Sequence, residues 1–475
     1  MRKTFNLEDN LVLALPYFKE GLESVLTIKG ENFQTELKVF SQETTPDNFF
    51  QFELPIKDKI TIEGAESFVA SIKIVKKAIL SSSYAFHFAP CFGWINDPNG
   101  MIYHNGEFHL FFQYNPVGRE WNNMSWGHAV SKDLLNWEQK ATALFPNNLE
   151  HTIFSGSAIK IADKVYFPYT LANITPPQSY CQCFATTSDF LSFKKQGQFL
   201  PPCGEERDPR VFSYKENLYV LLFEEKNMFA LYKINKDFSK CTKCCTFSLP
   251  PLWECPDLYQ LKDEYGKEQL FFTAADGIVH KAILKDDILS VEEEGSPLFL
   301  TKLAYAGQSF SGLKETIVIF WLRTENKTKL NHGVMSLPRT LTLKENKIHL
   351  LPPKSLVFKE PKNYKGKEIE LKHSFTAYSL SIDINSSFTL KLGNSAFYYD
   401  IVSGILTNGE NKATFNSHPH CIIFYIDNEI VEVQDSQFSS IAYFEIESCT
   451  SSLLINSERE CSVSLAEYRG YNGNT

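Results

Sequence analysis

The chain has 475 residues, of which 43% are hydrophobic and 22% charged, a length and composition typical of two or three globular domains. Its net charge of −9 argues against a nucleic-acid partner, and the sequence has neither a basic block for an anionic membrane nor an apolar run of transmembrane length. The 39 Phe and 21 Tyr residues favour β-rich structure over a helical bundle.

The cysteines and the amino terminus bear on cellular location. The chain has 11 cysteines, an odd number, and the cluster of Cys241, Cys244 and Cys245 has no partner at zinc-site spacing. The apolar run at residues 11–15 is too short for the core of a secretion signal. We therefore expect free thiols, no metal site and a cytoplasmic protein.

Residues 1–82 carry short apolar stretches with polar breaks between them. Examples are residues 25–28, 37–40 and 50–54. This pattern predicts a small antiparallel β-sandwich as an N-terminal domain. Its role stays open between packing, homo-oligomerisation and carbohydrate binding.

A repeat begins after this domain and continues through residues 83–352. Five times, a polar turn precedes an aromatic-rich apolar strand, at residues 105–112, 163–169, 215–223, 265–272 and 314–321. Nearly continuous apolar strands are typical of strands that are buried on both faces. Five such hairpins at one period predict a five-bladed β-propeller with four strands in each blade.

A motif of polar and small residues precedes each of these hairpins. The five motifs are residues 96–97, 154–157, 207–210, 254–257 and 306–310. Equivalent positions of successive propeller blades lie around one central channel. We therefore expect the five motifs to meet in a single cavity.

The remaining part of the chain, residues 366–475, follows a Pro- and Lys-rich connector. Alternating apolar and polar residues recur in short runs, for example at residues 388–392, 421–425 and 442–446. This alternation predicts a C-terminal β-sandwich. The expected fold class is thus all-β, with a small N-terminal domain, a five-bladed propeller and a sandwich.

Three acids occupy the blade-equivalent motifs, namely Asp97, Asp208 and Glu254. Two carboxylates across a sugar-sized gap are what hydrolysis of a glycosidic bond requires. The apolar sequence neighbours of Glu254 favour a protonated acid, whereas Asp97 lies beside amides and suits an ionised nucleophile. Arg207 should hold Asp208 as a carboxylate, although a purely structural ion pair stays open for these two residues.

Six motifs follow one another along the chain: Trp94-Ile95-Asn96-Asp97-Pro98-Asn99-Gly100, Phe112-Gln113-Tyr114-Asn115-Pro116, Trp126-Gly127-His128-Ala129, Phe154-Ser155-Gly156-Ser157, Arg207-Asp208-Pro209 and Trp253-Glu254-Cys255-Pro256-Asp257. In this order they resemble glycoside hydrolase family 32, which contains invertases, inulinases, levanases and sucrose-6-phosphate hydrolases. The family's five-bladed propeller and following β-sandwich resemble the architecture expected here.

By that resemblance, Asp97 is the nucleophile that forms a covalent fructosyl-enzyme, Asp208 stabilises the transition state and Glu254 is the general acid/base. Such a retaining mechanism places the two reacting carboxylates about 5–5.5 Å apart and needs no metal or organic cofactor. The resemblance also implies that further residues line the site for the terminal fructose, with two tryptophans adding aromatic wall: Asn96, Gln113, Trp121, Phe154, Ser155 and Arg207, then Trp94 and Trp321.

The activity so implied is the release of terminal β-D-fructofuranosyl units from sucrose or short fructans, small carbohydrates being the partners. A fructosyltransferase, a sucrose-6-phosphate hydrolase and a non-catalytic fructan-binding propeller stay open as alternatives. Two segments depart from the family pattern. Residues 1–80 extend beyond its usual start, and residues 300–304 lack the acidic, glycine-containing lead expected before Tyr305, so the fifth blade's share of the pocket stays open.

Overall fold

The computed structural model describes residues 1–56, 59–80, 82–202, 204–325, 329–415, 419–447 and 452–470. Over these ranges the chain is almost entirely β, with one short helix. The predicted fold class, a five-bladed propeller between a small β-rich N-terminal part and a C-terminal sandwich, is confirmed. In the described ranges, no helix combines the length and apolarity that crossing a bilayer requires.

The N-terminal sandwich consists of β1 (Arg2–Asn6), β2 (Leu11–Tyr17), β3 (Leu22–Lys29), β4 (Gln34–Ser41), β5 (Asn48–Phe52), β6 (Lys59–Glu63), α1 (Glu66–Ser71) and β7 (Lys73–Lys76). One sheet has the order β1-β6-β3-β4 and the other the order β5-β2-β7. Alternate residues of both sheets, such as Leu13, Leu26 and Ile60, are buried in one core.

That core continues into the propeller. Val117 and Phe145, two propeller residues, belong to the same buried cluster as the N-terminal strands. Phe50 stacks on Phe92 with ring centroids 4.5 Å apart. Because the two parts share one apolar core, the N-terminal sandwich is fixed against the propeller.

The propeller is built from five sheets. Blades 1 and 2 consist of β8 (Gly93–His104), β9 (Glu107–Asn115), β10 (Ser125–Ser131) and β11 (Glu138–Gln139), and of β12 (His151–Gly156), β13 (Ile159–Ile161), β14 (Lys164–Asn173), β15 (Ser179–Thr187) and β16 (Lys194–Leu200). Blades 3 and 4 consist of β17 (Arg207–Tyr214), β18 (Asn217–Phe223), β19 (Met228–Ile234) and β20 (Cys241–Ser248), and of β21 (Asp257–Lys262), β22 (Glu268–Thr273), β23 (Ile278–Lys285) and β24 (Ile288–Pro297). Blade 5 consists of β25 (Ala304–Ser309), β26 (Thr316–Leu322), β28 (Val334–Met335), β29 (Arg339–Lys344) and β30 (Lys347–Leu351), and β27 (Asn331–His332) precedes β28 in the chain.

The ring closes through the first strand of each blade. Consecutive inner strands contact one another, and β25 of blade 5 contacts β8 of blade 1. In addition, β27 pairs in parallel with the start of β8. The apolar second strands β9, β14, β18, β22 and β26 lie between their neighbours and are largely buried, as their composition predicts.

The C-terminal sandwich consists of β31 (Lys362–Lys372), β32 (Ala377–Asp383), β33 (Phe388–Leu392), β34 (Ser395–Asp400), β35 (Ile405–Asn408), β36 (Asn411–Thr414), β37 (Cys421–Asp427), β38 (Ile430–Asp435), β39 (Ile441–Glu445) and β40 (Ser452–Glu467). These ten strands form one continuous sheet. The first half of β40 pairs with β33 and its second half with β32, so the long strand joins two layers around one core.

A buried network of charged side chains joins the C-terminal sandwich to the propeller. His87 contacts Asp427 through Nδ1 at 3.0 Å and Glu432 through Nε2 at 3.1 Å. Arg339 pairs with the second oxygen of Glu432 and donates to Gln434 at 2.9 Å. Burial alone would lower the pKa of His87, but its hydrogen bonds to the two carboxylates raise that pKa to about 9. The imidazole is therefore a cation at neutral pH.

Candidate active site

A cavity of about 220 Å³ is lined by side chains from all five blades, namely Asn96, Asp97, Gln113, Trp121, Phe154, Ser155, Arg207, Asp208, Glu254, Tyr305 and Trp321. The cavity brings together every residue that the sequence assigned to the site except Trp94. It adds Tyr305, which the sequence did not assign. Four of the five blade-equivalent motifs thus meet in one cavity as expected, whereas blade 5 contributes Tyr305 and Trp321 and none of residues 306–310.

Irregular backbone on the inner strands directs these side chains into the cavity. The pairing between the first and second strands shifts at residues 96–97, 154–155, 208–209 and 306–307, each time at the motif. A β-bulge leaves residues unpaired with the neighbouring strand and re-aims their side chains. Blade 4 achieves the same by positive φ angles at Glu254 (36°) and Cys255 (47°), just before β21.

Three side chains donate hydrogen bonds to the carboxylate of Asp97. They are Ser155 Oγ at 2.7 Å, Asn96 Nδ2 at 3.1 Å and Cys255 Sγ at 3.4 Å. Burial raises the pKa of Asp97 and so does the nearby charge of Glu254, while the three hydrogen bonds lower it. Asp97 is therefore a precisely held carboxylate that is more basic than a solvated aspartate.

Glu254 has polar partners rather than apolar surroundings. Arg207 donates to Oε2 from Nε at 3.2 Å and from Nη2 at 3.1 Å, and the Tyr305 hydroxyl donates to Oε1 at 2.8 Å. Its neighbour Trp253 packs against the ring of Phe223, 5.0 Å away. The interpretation drawn from sequence neighbours was wrong here, because residues adjacent in this strained turn face different directions.

Asp208 is buried and close to two other acids. The backbone N–H of Cys255 donates to Oδ2 at 2.9 Å, and the guanidinium of Arg207 lies 3.9 Å from the same oxygen. Burial raises the pKa of Asp208 to about 7; Arg207 lowers it, but the charges of Glu254 and Asp97 oppose Arg207. As expected from sequence, Arg207 favours the ionised form of Asp208, but burial and the charges of Glu254 and Asp97 act against it.

Two residues of the site were missed as functional groups from sequence. The thiol of Cys255 lies between two acids, 3.4 Å from Asp97 Oδ2 and 3.5 Å from Asp208 Oδ2. Burial and these carboxylates raise the pKa of Cys255 well above its ordinary value, so the thiol stays protonated and donates. Tyr305 could have been found by position, since it precedes the fifth-blade bulge as Arg207 precedes the third-blade bulge.

Trp94 stands behind the cavity instead of lining it. Its indole N–H donates to Asn96 Oδ1 at 2.8 Å, and its ring lies 4.5 Å from the ring of His332 and 6.0 Å from that of Trp321. Trp94 therefore orients the amide of Asn96, which in turn donates to Asp97. Its role is positioning, whereas the sequence suggested direct contact with a sugar.

The floor of the site is tied together across blades. Arg210 of blade 3 contacts Asp257 of blade 4 at 2.7 Å and donates to Ser309 Oγ of blade 5 at 2.7 Å. Ser157 Oγ of blade 2 donates to the Pro209 carbonyl of blade 3 at 2.6 Å. Buried charge-assisted bonds of this kind fix the separation of the inner strands, and with it the spacing of the carboxylates above them.

Across the described ranges, no three or more His, Cys, Asp or Glu side chains are placed so that they could hold a metal ion. Nine of the 11 cysteines lie in those ranges, and all nine are free thiols.

The residues that line the cavity all lie in a part of the chain that matches a known protein family. Residues 87–352 match the sequence model described as "Glycosyl hydrolases family 32 N-terminal domain". A similar curated protein is a sucrose-6-phosphate hydrolase of Zymomonas mobilis, 29% identical over 392 residues, which cover 71% of this chain and 75% of that protein.

Two solved structures share the fold. An exo-inulinase from Aspergillus awamori superposes with a TM-score of 0.71 at 21% identity, covering 82% of this chain and 98% of its own. A glycoside hydrolase family 32 protein from Bifidobacterium adolescentis superposes with a TM-score of 0.69 at 16% identity, covering 99% of both chains. The second likeness therefore extends over the N-terminal sandwich as well.

Proposed function

Since this chain belongs to glycosyl hydrolases family 32, we propose that its cavity carries out a double-displacement hydrolysis in which Asp97 is the nucleophile and Glu254 the general acid/base. The chain is a glycoside hydrolase of the β-fructofuranosidase type, releasing fructose from sucrose or fructans. The observation that carries the residue assignment is that three carboxylates line one pocket built from all five blades, with the Cys255 thiol within 3.5 Å of two of them, Asp97 and Asp208.

The first step forms a covalent fructosyl-enzyme. A carboxylate oxygen of Asp97 attacks the anomeric carbon while Glu254 gives its proton to the departing glycosidic oxygen. The hydrogen bonds from Ser155 and Asn96 aim the attacking carboxylate, and burial keeps it more basic than a solvated aspartate. In the second step Glu254 takes a proton from water, and that water releases fructose from Asp97.

Arg207 and Tyr305 hold Glu254 in position for both steps. Each oxygen of Glu254 has its own donor, at 3.1 Å from Arg207 and 2.8 Å from Tyr305. Fixing the acid in this way reduces the reorganisation needed at the transition state. Asp208 faces the same pocket, where it is suited to bind sugar hydroxyls more tightly as positive charge develops on the ring.

The substrate class is a terminal β-D-fructofuranosyl unit on sucrose or a short fructan. The name of the Zymomonas mobilis relative supports phosphorylated sucrose as a second candidate. A fructosyltransferase would use the same intermediate and differ only in the acceptor.

A product profile tests the proposal. The protein is incubated with sucrose, sucrose-6-phosphate, a fructo-oligosaccharide, inulin and levan, and the products are separated by chromatography. Free fructose as the main product is expected, and Asp97→Asn and Glu254→Gln should abolish its release. Longer oligosaccharides as the main product would instead establish a transferase, and unchanged turnover in both variants would refute the residue assignment.

We further propose a reducing, cytoplasmic location. The support is the odd number of cysteines and the nine free thiols in the described part of the chain. Fractionation of the native host, with activity recovered in the cytosol, tests this; recovery in the medium would overturn it. Size-exclusion chromatography of the purified chain decides between a monomer and the homo-oligomer that its composition leaves open.

A further inference from the structure

A second and larger cavity lies beside the active site. Its volume is about 480 Å³, and both the N-terminal sandwich and the propeller contribute to its wall. The N-terminal part supplies Tyr17, Lys19, Val39 and Phe40 among others. We name this cavity the seam groove.

The seam groove is continuous with the reaction site through one side chain. Trp121 lines both cavities and is 50% exposed, with its ring 6.1 Å from that of Phe154. On the other side, His332 of the groove makes an edge-to-face contact with Trp94, which orients Asn96 of the active site. A chain molecule whose end occupied the active site would therefore extend over Trp121 into the groove.

The loop that carries Trp121 is attached to the N-terminal sandwich. Asn123 accepts a hydrogen bond from the Lys38 backbone N–H at 2.8 Å and donates to the Lys38 carbonyl at 2.9 Å. Asn115 donates to the Glu120 carbonyl at 2.9 Å, which closes the same loop. The N-terminal strand β4 thus both forms one wall of the groove and holds the tryptophan at its entrance.

The lining of the groove suits a neutral polyhydroxyl ligand. Charges of the two signs are interspersed and nearly balanced, with three cations against four acids: Lys19, Lys38 and Arg119, then Glu20, Glu23, Glu120 and Glu325. Such a lining offers both donors and acceptors to hydroxyl groups and no net field for a phosphate. Phe40 (39% exposed) and Trp121 add apolar faces on which sugar rings can pack.

We infer that the seam groove binds the leaving-group side of a fructan, so that the N-terminal sandwich sets a preference for oligosaccharides over sucrose. The inference rests on the proposed hydrolysis of terminal fructosyl units. Its ligand is the second and later sugar units of a neutral fructo-oligosaccharide. The groove thereby gives the N-terminal sandwich a specificity role in addition to packing.

Kinetics on substrates of increasing length test the inference. The full chain and its variants are assayed on sucrose and on fructo-oligosaccharides of three, four and five units. Phe40→Ala is expected to lower kcat/KM on the tetrasaccharide roughly tenfold through KM, and that on sucrose less than about twofold. Ile74→Ala is the matched control, because Ile74 is 40% exposed on the other sheet of the same sandwich and lies outside the groove.

A second variant keeps the inference testable if Phe40→Ala does not fold. Glu23→Trp places a large side chain in the groove and should impair the longer substrates selectively. The inference would be overturned if kcat/KM fell equally on sucrose and tetrasaccharide, or fell on neither. A parent protein that strongly prefers phosphorylated sucrose would overturn it too. Each of these results would leave the proposed hydrolase function intact. A parent protein inert on every fructoside would instead overturn the proposed function itself.

Discussion

The charged network between propeller and sandwich and the cluster of acids in the active site differ in charge balance and in access to water. At the contact between propeller and sandwich, Asp427 and Glu432 face a protonated His87 and Arg339, and all four side chains are fully buried. In the active site, three carboxylates line an open cavity, and the guanidinium of Arg207 lies within 4 Å of two of them, Asp208 and Glu254.

The balanced cluster satisfies its own charges and needs no ligand. The unbalanced cluster contains carboxylates whose pKa values are raised, Asp97 by burial and the charge of Glu254, and Asp208 to about 7. Like charges held together oppose folding and are typical of sites that stabilise a developing positive charge. The same residue types therefore act structurally where they are neutralised and chemically where they are not.

The largest effect is expected on turnover at the unbalanced cluster. Asp97→Asn should reduce kcat on the order of 10⁴-fold or more, since no covalent intermediate can form, and Glu254→Gln on the order of 10²–10⁴-fold. Thermal unfolding should be unaffected or occur at higher temperature. The control is Asp237→Asn, because Asp237 lies in an exposed turn of blade 3. A kcat within tenfold of the parent for Asp97→Asn would contradict the assignment.

The balanced cluster should respond in the opposite sense. Arg339→Met removes one partner and leaves Glu432 short of positive charge inside the protein, which is expected to cost about 3–5 kcal/mol in the free energy of unfolding. The kcat of the folded enzyme should stay near that of the parent. Lys359→Met breaks an exposed pair with Glu467 and should cost less than about 1 kcal/mol in denaturant unfolding. Equal losses of unfolding free energy for the two variants would show that the buried network stabilises the fold no more than an exposed ion pair does.

Asp208 should lower the stability of the folded protein as the pH rises through about 7. Its pKa is about 7 in the folded protein against 3.8 as the ordinary value, so the folded chain binds its proton more tightly than the unfolded chain. Its favourable contribution is complete below pH 3.8 and is lost as pH rises through about 7.

Asp208→Asn should consequently be more stable than the parent at pH 8, on the order of 1–3 kcal/mol, although its turnover falls. The gain should shrink as the pH is lowered to 5. Unfolding in denaturant at both pH values measures it. A variant less stable than the parent at pH 8 would mean that the hydrogen bond from the Cys255 backbone outweighs the buried charge.

The smallest effect is expected at the thiol between the acids. Cys255→Ala removes the donor to Asp97 and should lower kcat roughly tenfold, since one hydrogen bond to a carboxylate is lost. Cys255→Ser keeps a donor of similar reach and should recover part of that loss. Identical kcat values for Ala and Ser would show that the thiol only fills space.

Much of this architecture could be predicted because its signals are periodic. The apolar second strand of each blade and the polar motif before it recur along the chain, so both the propeller and the convergence of four of its five motifs follow from sequence. The three acids and all but one of the expected pocket residues line one cavity. The separation of Asp97 and Glu254 stays a prediction of about 5–5.5 Å.

What sequence could not supply were contacts set by local backbone geometry. Trp94 is next to the site in sequence, yet it donates to Asn96 from behind. The partners of Glu254 come from two other blades, whereas its neighbour Trp253 packs on Phe223, in a turn where Glu254 and Cys255 have positive φ angles. Likewise, burial and two nearby acids raise the pKa of Asp208 against the lowering effect of Arg207, and the sequence shows only Arg207 as its neighbour.

The stereochemistry of transfer to methanol tests the central claim most directly. With sucrose as donor, methanol competes with water for the intermediate and gives a methyl fructofuranoside that cannot change its anomeric configuration. A covalent intermediate on Asp97 inverts the centre twice, so the product is predicted to be the β-anomer by NMR spectroscopy. The α-anomer would mean a single displacement by water or methanol, and Asp97 would then not be the nucleophile.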